Sequence, residues 1–373
     1  MKKVGILTFH FADNFGAVLQ AYALQKVIKK LDNKIDVDII DFRPKSLTQI
    51  YDHSINIKRA IKKYGYLNTL GFLWNRIYYF IPVEKRLRTF EKFRKKYLQV
   101  SDITYKSTDE IQSNSPEYDY YITGSDQVWN PIYIKYVGYS YFLDFVINNS
   151  KKIAYAASIA QPVEDQYIND YKKHINTFDY ISIREKASLK FLHSITEKEI
   201  KVTLDPTFLI EKDEWDKIMR VPEINDKYIL VYGIQFNDEL IELANRISEE
   251  TGLKIVSFYS KKYFKNMVTS IKYKASDDFL GYLSKAELVL TNSFHGTVFS
   301  IIYNKPFYTV PHTVTGSRMK DLLETFELQD RLIYRAADID KVNYDIDFEK
   351  TAKILEEHKN GSLNFIKKAL DII

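Results

Sequence analysis

Val4-Gly5-Ile6-Leu7-Thr8-Phe9, His10-Phe11-Ala12-Asp13-Asn14 and Phe15-Gly16-Ala17-Val18-Leu19-Gln20-Ala21-Tyr22-Ala23-Leu24-Gln25-Lys26-Val27-Ile28 open the chain, and their reading decides the fold. The first run predicts a short buried strand and the second a polar turn. From Gly16 to Ile28 apolar residues recur at helical spacing. Val37-Asp38-Ile39-Ile40-Asp41 then predicts a second strand. Strand, turn, helix, strand is how a doubly wound parallel sheet begins.

The alternation resumes with strands at Tyr118–Thr123, Lys152–Ser158, Tyr180–Ile183 and Lys201–Leu204, with a helix over about 164–176. Residues 210–226 read as a crossing between domains. A second series follows, with strands at Tyr228–Tyr232, Lys254–Phe258, Leu288–Leu290 and Phe307–Val310. Helices are expected over 238–250, 277–285 and 295–303, and a final one over 347–371. The fold class is therefore α/β, with two Rossmann-like domains facing across a cleft. The expected boundaries are 1–210, carrying a basic aromatic helical insertion at about 55–98, and 211–373, carrying the closing helix. Ligands of such sheets bind outside the carboxyl ends of the strands.

At 373 residues the chain is too long for one ordinary core and fits two. Hydrophobic residues at 45% and charged residues at 28% suit a globular protein. A net charge of +5 is modest for this length and does not imply nucleic acid. The absence of cysteine excludes disulfides, thiolate-bound metals and a thiol nucleophile. Thr8, His10, Asp13 and Asn14 interrupt the apolar start before a signal-peptide core forms. No apolar stretch is long enough to span a bilayer. The expected location is cytoplasmic, at most peripheral on the inner face of the membrane.

Three strand-to-helix turns hold the polar residues of interest. In Thr8–Ala17 a helix N-terminus offers unpaired N–H groups, and Gly16 lets backbone approach a ligand. Capping of that helix by Asp13 or Asn14 would explain both residues equally well. In Thr123-Gly124-Ser125-Asp126-Gln127-Val128-Trp129-Asn130-Pro131 a Trp and a carboxylate beside small polar residues suit a sugar. A tight turn with Asp126 bonding its own backbone is the plainer reading. In Thr291-Asn292-Ser293-Phe294-His295-Gly296-Thr297, His295 can take or relay a proton. Ser293, Thr297 and local N–H groups can cradle phosphate or carboxylate oxygens. Arg184 and Arg318 each follow a strand or turn and can grip such anions in a bidentate way. Local ion pairs with Glu185, Asp321 or Glu324 are the alternative. No metal-binding signature or Walker loop occurs.

These residues carry a resemblance. Gly5-Ile6-Leu7-Thr8 with Asn14–Leu24, Gly124–Pro131, Ser182-Ile183-Arg184-Glu185, Leu204-Asp205-Pro206-Thr207, and Thr291–Gly296 followed by Asn304-Lys305-Pro306 resemble polysaccharide pyruvyl transferase family proteins, in the family's order. The blocks span residues 4 to about 331. The resemblance implies a glycosyltransferase-B-like fold. It also implies transfer of an enolpyruvyl-derived group from phosphoenolpyruvate, a donor substrate rather than a cofactor. The implied product is a pyruvate ketal on a sugar of a cell-surface polysaccharide or its lipid-diphosphate-linked precursor. His295 matches the motif histidine as general acid, and Asp126 joins it as a catalytic candidate. The donor contacts expected are Arg184, Arg318, Ser293, Gly296, Thr297 and Lys305. The acceptor contacts expected are His10, Asp13, Asn14, Gly16, Ser125, Gln127 and Trp129. Ketal-forming members resemble Arg-x-His at the motif, whereas Ser293 holds the arginine place here. Arg318 and Lys305 are the cations available in its stead.

Between Lys58 and Tyr97 twelve cations face two acids, Glu84 and Glu91, with aromatics interleaved. Such a segment suits an anionic membrane surface. It equally suits a helix with Phe90, Phe93 and Tyr97 packed inward and its cations in water. A nucleotide-sugar glycosyltransferase of the same fold and a non-catalytic sugar- or anion-binding subunit are the alternative functions.

Overall fold

The computed structural model describes residues 2–51, 84–234, 237–258, 263–271, 274–311 and 316–373. Seven strands form the first sheet: β1 Lys3–Leu7, β2 Asp36–Phe42, β3 Val100–Tyr105, β4 Tyr120–Thr123, β5 Lys151–Ala157, β6 Tyr180–Ile183 and β7 Ile200–Val202. Their order is β3-β2-β1-β4-β5-β6-β7, and every pairing is parallel. The second sheet holds β8 Tyr228–Tyr232, β9 Lys254–Ser257, β10 Met267–Ser270, β11 Leu288–Thr291 and β12 Phe307–Thr309. Its order is β10-β9-β8-β11-β12, again parallel throughout.

The central strands β4, β8 and β11 are buried along their whole length. Helices cover both faces of a parallel sheet, so its inner strands read as continuous apolar runs rather than alternating ones. The two strands absent from the sequence reading, β3 and β10, lie at sheet edges, where several residues stay half-exposed or exposed. They carry no apolar run that would announce them.

In each sheet the strand order reverses beside the first strand, at β1/β4 and at β8/β11. These are the topological switch points where ligands of such sheets bind. Helix α1, Phe15–Leu31, starts at the first switch point and reaches the second domain. Phe15 stacks on Phe279 with centroids 5.2 Å apart and an interplanar angle of 3°, and also packs against Tyr232 and Phe258. Ser276 Oγ donates to the Phe15 carbonyl at 3.2 Å. Burying one such ring contributes about 1.5–3 kcal/mol.

The helix Phe348–Ala369 returns to the first sheet. Ser362 Oγ accepts from Leu204 N at 3.0 Å. Beyond its end, Asp371 accepts from Tyr120 Oη at 2.8 Å and pairs with Lys151.

Of the basic insertion, residues 52–83 lie outside the described residues. Residues 84–97 form a helix with Phe90 and Phe93 buried, Phe90 stacked on Phe15 at 5.3 Å. Lys85, Arg88, Lys92, Lys95 and Lys96 line its exposed face. Arg86 and Arg94 instead reach the turn before α1: Arg86 Nη2 donates to the Asp13 carbonyl at 2.6 Å, and Arg94 pairs with the Asp13 carboxylate at 3.0 Å. No helix among the described residues is long and apolar enough to cross a membrane.

Candidate active site

The turn after β1 is built for architecture. Asn14 is the N-cap of α1, its Oδ1 accepting from Gly16 N at 3.0 Å and Ala17 N at 3.2 Å, which answers two of the helix's orphan donors. Asp13 is committed to Arg94; burial outweighs that attraction and raises its pKa. His10 is fully buried, with Nε2 2.7 Å from Asp41 Oδ1. Burial lowers its pKa against the opposing pull of Asp41. Burial would raise Asp41 in turn, but hydrogen bonds from His10, Thr104 and Arg43 hold it far below the ordinary carboxylate range. All three residues fix the loop; His10 is closed off by burial, while Asp13 and Asn14 stay half-exposed. Gly16 does permit a close approach, though by protein: a Cβ there would lie 2.0 Å from His295 Nδ1.

The turn after β4 contributes both structure and chemistry. Asp126 has φ of 82°, left-handed for a non-glycine residue; such a conformation costs about 1–3 kcal/mol and clusters at functional sites. Its carboxylate accepts from Gln127 N at 2.9 Å and stands 4.0 Å from Arg184 Nη2. Ser125 Oγ donates to Asp205 Oδ2 at 2.9 Å. With its amide oxygen turned toward Arg318, Gln127 accepts from both terminal nitrogens at 3.2 Å. Trp129 is fully buried, stacked on Phe142 at 5.4 Å and edge-on to Phe178. Its ring faces are occupied by protein, so it is a core residue and not a sugar platform.

In the second domain Ser293 caps the helix Phe294–Ile302, its Oγ accepting from Gly296 N at 3.3 Å. Thr297 Oγ1 donates to the Ser293 carbonyl and bonds Thr309 Oγ1. A Cβ on Gly296 would lie 2.2 Å from Thr291 Oγ1, so that glycine serves helix-on-strand packing. All three are absorbed by the turn itself rather than free to bind a donor. Lys305 precedes β12 and is therefore at the amino end of the sheet, where its charged neighbours are Glu287, Lys285 and Lys212. It faces away from the cleft.

What remains converges. Asp205, following β7, is buried at the centre. Its Oδ1 accepts from Thr207 N and Oγ1 at 3.0 and 2.6 Å. Its Oδ2 accepts from Ser125 and from Arg184 Nη1 at 3.0 Å, and lies 3.4 Å from His295 Nε2. Burial would raise its pKa, but His295, Arg184 and Thr207 more than reverse this and hold it far below the carboxylate range. The Arg184 guanidinium carbon stands over the Phe294 ring, 4.1 Å from its centroid. Among the described residues its Nε and Nη2, like Arg318 Nε, have no hydrogen-bond partner. Arg318 is buried as well; desolvation first and repulsion by Arg184 second push its pKa down to about 10. A cavity between the domains is lined by Arg184, Asp205, Phe294, Arg318, Asp321 and His358, with Lys186, two threonines and three aliphatic residues completing the wall. Arg184 Nε and Nη2 each stand 4.0 Å from a carboxylate, that of Glu185 and that of Asp126, too far for a hydrogen bond, so two buried guanidiniums keep donors that a bound anion would satisfy. No cluster of three or more metal-binding side chains occurs among the described residues.

Asp205 was not among the residues singled out from the sequence as functional. Its signal was positional: an acid directly after a strand, before a proline, at the carboxyl edge where these sheets bind ligands.

The sequence profile of the polysaccharide pyruvyl transferase family matches residues 14–313. The chain belongs to the polysaccharide pyruvyl transferase family. This pyruvyl transferase is also similar in fold to UDP-GlcNAc 2-epimerase from Neisseria meningitidis bound to UDP-GlcNAc, 10% identical over 100% of both chains with a TM-score of 0.50. It is similar to the UDP-N-acetylglucosamine 2-epimerase from Rickettsia bellii, 9% identical over 100% of this chain and 98% of that one, with a TM-score of 0.50. At such identities the likeness shows the fold alone, two Rossmann-like domains facing each other in the glycosyltransferase-B manner. No curated protein matches the sequence.

Proposed function

We propose that this family member transfers an enolpyruvyl-derived group from phosphoenolpyruvate to two hydroxyls of a sugar, forming a pyruvate ketal. The observation that carries the reading is the pair of buried arginines, Arg184 and Arg318, which line the inter-domain cavity and keep N–H groups without a hydrogen-bond partner among the described residues; His295 touches Asp205, which shares that lining. Phosphoenolpyruvate bears a carboxylate and a phosphate, two anionic groups for two guanidiniums. Arg318 thereby supplies the cation that Ser293, committed to its helix cap, does not.

In the reaction His295 gives its proton to the methylene carbon, whose double-bond electrons form the new C–H bond. The carbon bearing the phosphate becomes cation-like, and the neighbouring guanidiniums hold its anionic substituents. One sugar hydroxyl attacks that carbon and loses its proton to Asp126. Phosphate leaves with the proton that Asp126 took up, the second hydroxyl attacks the same carbon, and its proton returns to the imidazole. The products are a methyl-bearing ketal and inorganic phosphate. For the acceptor we propose a lipid-diphosphate-linked sugar, with the exposed cations of the 84–97 helix facing an anionic membrane.

One observation weighs against a nucleotide-sugar donor. Phe15 of the first domain packs on Tyr232 and Phe258, which end or follow β8 and β9, so an aromatic side chain fills the carboxyl edge of the second sheet. A calorimetric competition decides between the donors. Phosphoenolpyruvate should bind and UDP-GlcNAc should not displace it; binding of the nucleotide-sugar alone would overturn the proposal.

A further inference from the structure

Asp205 divides its two oxygens between two tasks. Oδ1 is taken by Thr207 N and Oγ1, which holds the Pro206–Leu209 turn. Oδ2 faces donors from three other places: Ser125 Oγ, Arg184 Nη1 and, across the domain interface, His295 Nε2. The His295 contact is 3.4 Å long, and Nε2 has no aligned hydrogen bond among the described residues. The other ring nitrogen is enclosed. A Cβ on Gly16 would stand 2.0 Å from Nδ1 and 2.2 Å from Cγ, so the ring rests directly on that backbone. The Gly16 N–H is already given to Asn14.

We infer that Asp205 is the positioning residue for His295, and that Gly16 is the floor confining its ring, so that Nε2, held only loosely 3.4 Å from Asp205 Oδ2, is the ring nitrogen left to protonate a bound donor. This rests on the reading of His295 as the proton donor. The buried carboxylate keeps the proton on Nε2 and balances the charge of the protonated ring. When the Nε2–H bond breaks and the methylene C–H bond forms, Asp205 stays ionised and takes no proton. The charged groups on the Nε2 side of the ring are Asp205 itself and Arg184, which shares Oδ2; Asp126 stands beyond Arg184. Gly16 is thus a positioning element contributed by the first domain to a side chain of the second. Closure of the two domains and readiness of the acid are one event.

The plainer role for Asp205 is to hold Arg184 and cap a turn, and the test separates the two. The full chain is labelled with ¹⁵N-histidine, and the His295 imidazole is identified by its loss in His295→Asn. Asp205→Asn and Gly16→Ala should each change the His295 nitrogen shifts. Each should also lower kcat with phosphoenolpyruvate about tenfold or more. Gly16→Ala leaves both arginines in place, so its Kd for phosphoenolpyruvate should stay within about twofold, a kcat effect without a binding effect. An unchanged His295 spectrum in Asp205→Asn overturns the pairing. An unchanged spectrum in Gly16→Ala, with a melting temperature at or above wild type, overturns the floor. If Asp205→Asn does not fold, Gly16→Ala and the wild-type tautomer decide: a wild-type ring carrying its proton only on Nδ1 contradicts the inference. Absence of phosphoenolpyruvate turnover in the wild type would sink the proposed reaction, while the spectra would still judge the pairing.

Discussion

Replacing Arg318 by methionine should leave the protein at least as stable as before while removing donor binding. The guanidinium is buried, and desolvation with repulsion from Arg184 lowers its pKa by more than two units from the ordinary arginine value, to about 10. At about 1.4 kcal/mol per pKa unit, holding that charge in place costs the folded state about 3 kcal/mol. The sign follows from linkage: a base with a depressed folded pKa carries this cost in full below pH 10, and it fades only as pH rises through that value. At pH 7.5 the whole cost is present. Methionine has similar length and no charge, and exchanging a buried ion for an apolar group of like volume is often stabilising by about 1–4 kcal/mol. The attraction of Glu185 and Asp126 for Arg318 is already included in that net shift, so about 3 kcal/mol is the gain expected from removing the charge. Denaturant unfolding with and without phosphoenolpyruvate measures both parts. At one hundred times Kd a ligand adds about 2.7 kcal/mol; wild type should show this and Arg318→Met should not. A variant less stable than wild type that keeps its response to the donor would refute the reasoning, because Arg318 would then be an ordinary structural ion pair.

Trp129→Ala should cost about 3–5 kcal/mol of stability by emptying a packed site, with acceptor KM unchanged in whatever folds; a raised KM at full stability would return Trp129 to the acceptor site. Asp41 and Asp205 both have folded pKa values depressed below 3.8. Their stabilisation is full above that value and is lost as pH falls below it, so unfolding free energy should drop steeply between pH 4 and more acid conditions, and His10→Ala should flatten the part due to Asp41. Lys92→Glu with Lys96→Glu reverses charge on the exposed face of the 84–97 helix. It should abolish co-sedimentation with phosphatidylglycerol vesicles at low salt; failure of the wild-type protein to bind them ends the membrane proposal.

The architecture was legible because inner strands of covered parallel sheets must be apolar throughout, and β1, β5, β8 and β11 show this without a partner in view. The edge strands β3 and β10 lack that constraint, and they are the ones the sequence did not disclose. At the site the sequence located the turns and misassigned several residues within them. Asn14 and Ser293 are helix caps, and a cap looks in sequence like a ligand contact because both exploit the same unpaired N–H groups. His10 and Trp129 are polar-tipped residues satisfied or enclosed by neighbours far along the chain, Asp41 and Phe178, which local reading does not reveal. Lys305 fails for a topological reason, since it stands before its strand rather than after it. Asp205 went unassigned because its importance comes from donors on four separate segments meeting at two oxygens. Gly16 reads in sequence as a place where backbone meets a ligand; in the structure the group against it is the imidazole of His295.

The central claim is that the cavity lined by Arg184, Asp205 and Arg318 is the seat of phosphoenolpyruvate. A crystal of the protein soaked with phosphoenolpyruvate tests it most directly. The account predicts density with anionic oxygens within hydrogen-bond distance of Arg184 Nη2 and Arg318 Nε, and the methylene carbon facing His295 Nε2. Donor density elsewhere, or a cavity that stays empty of it at saturating concentration, would contradict the account.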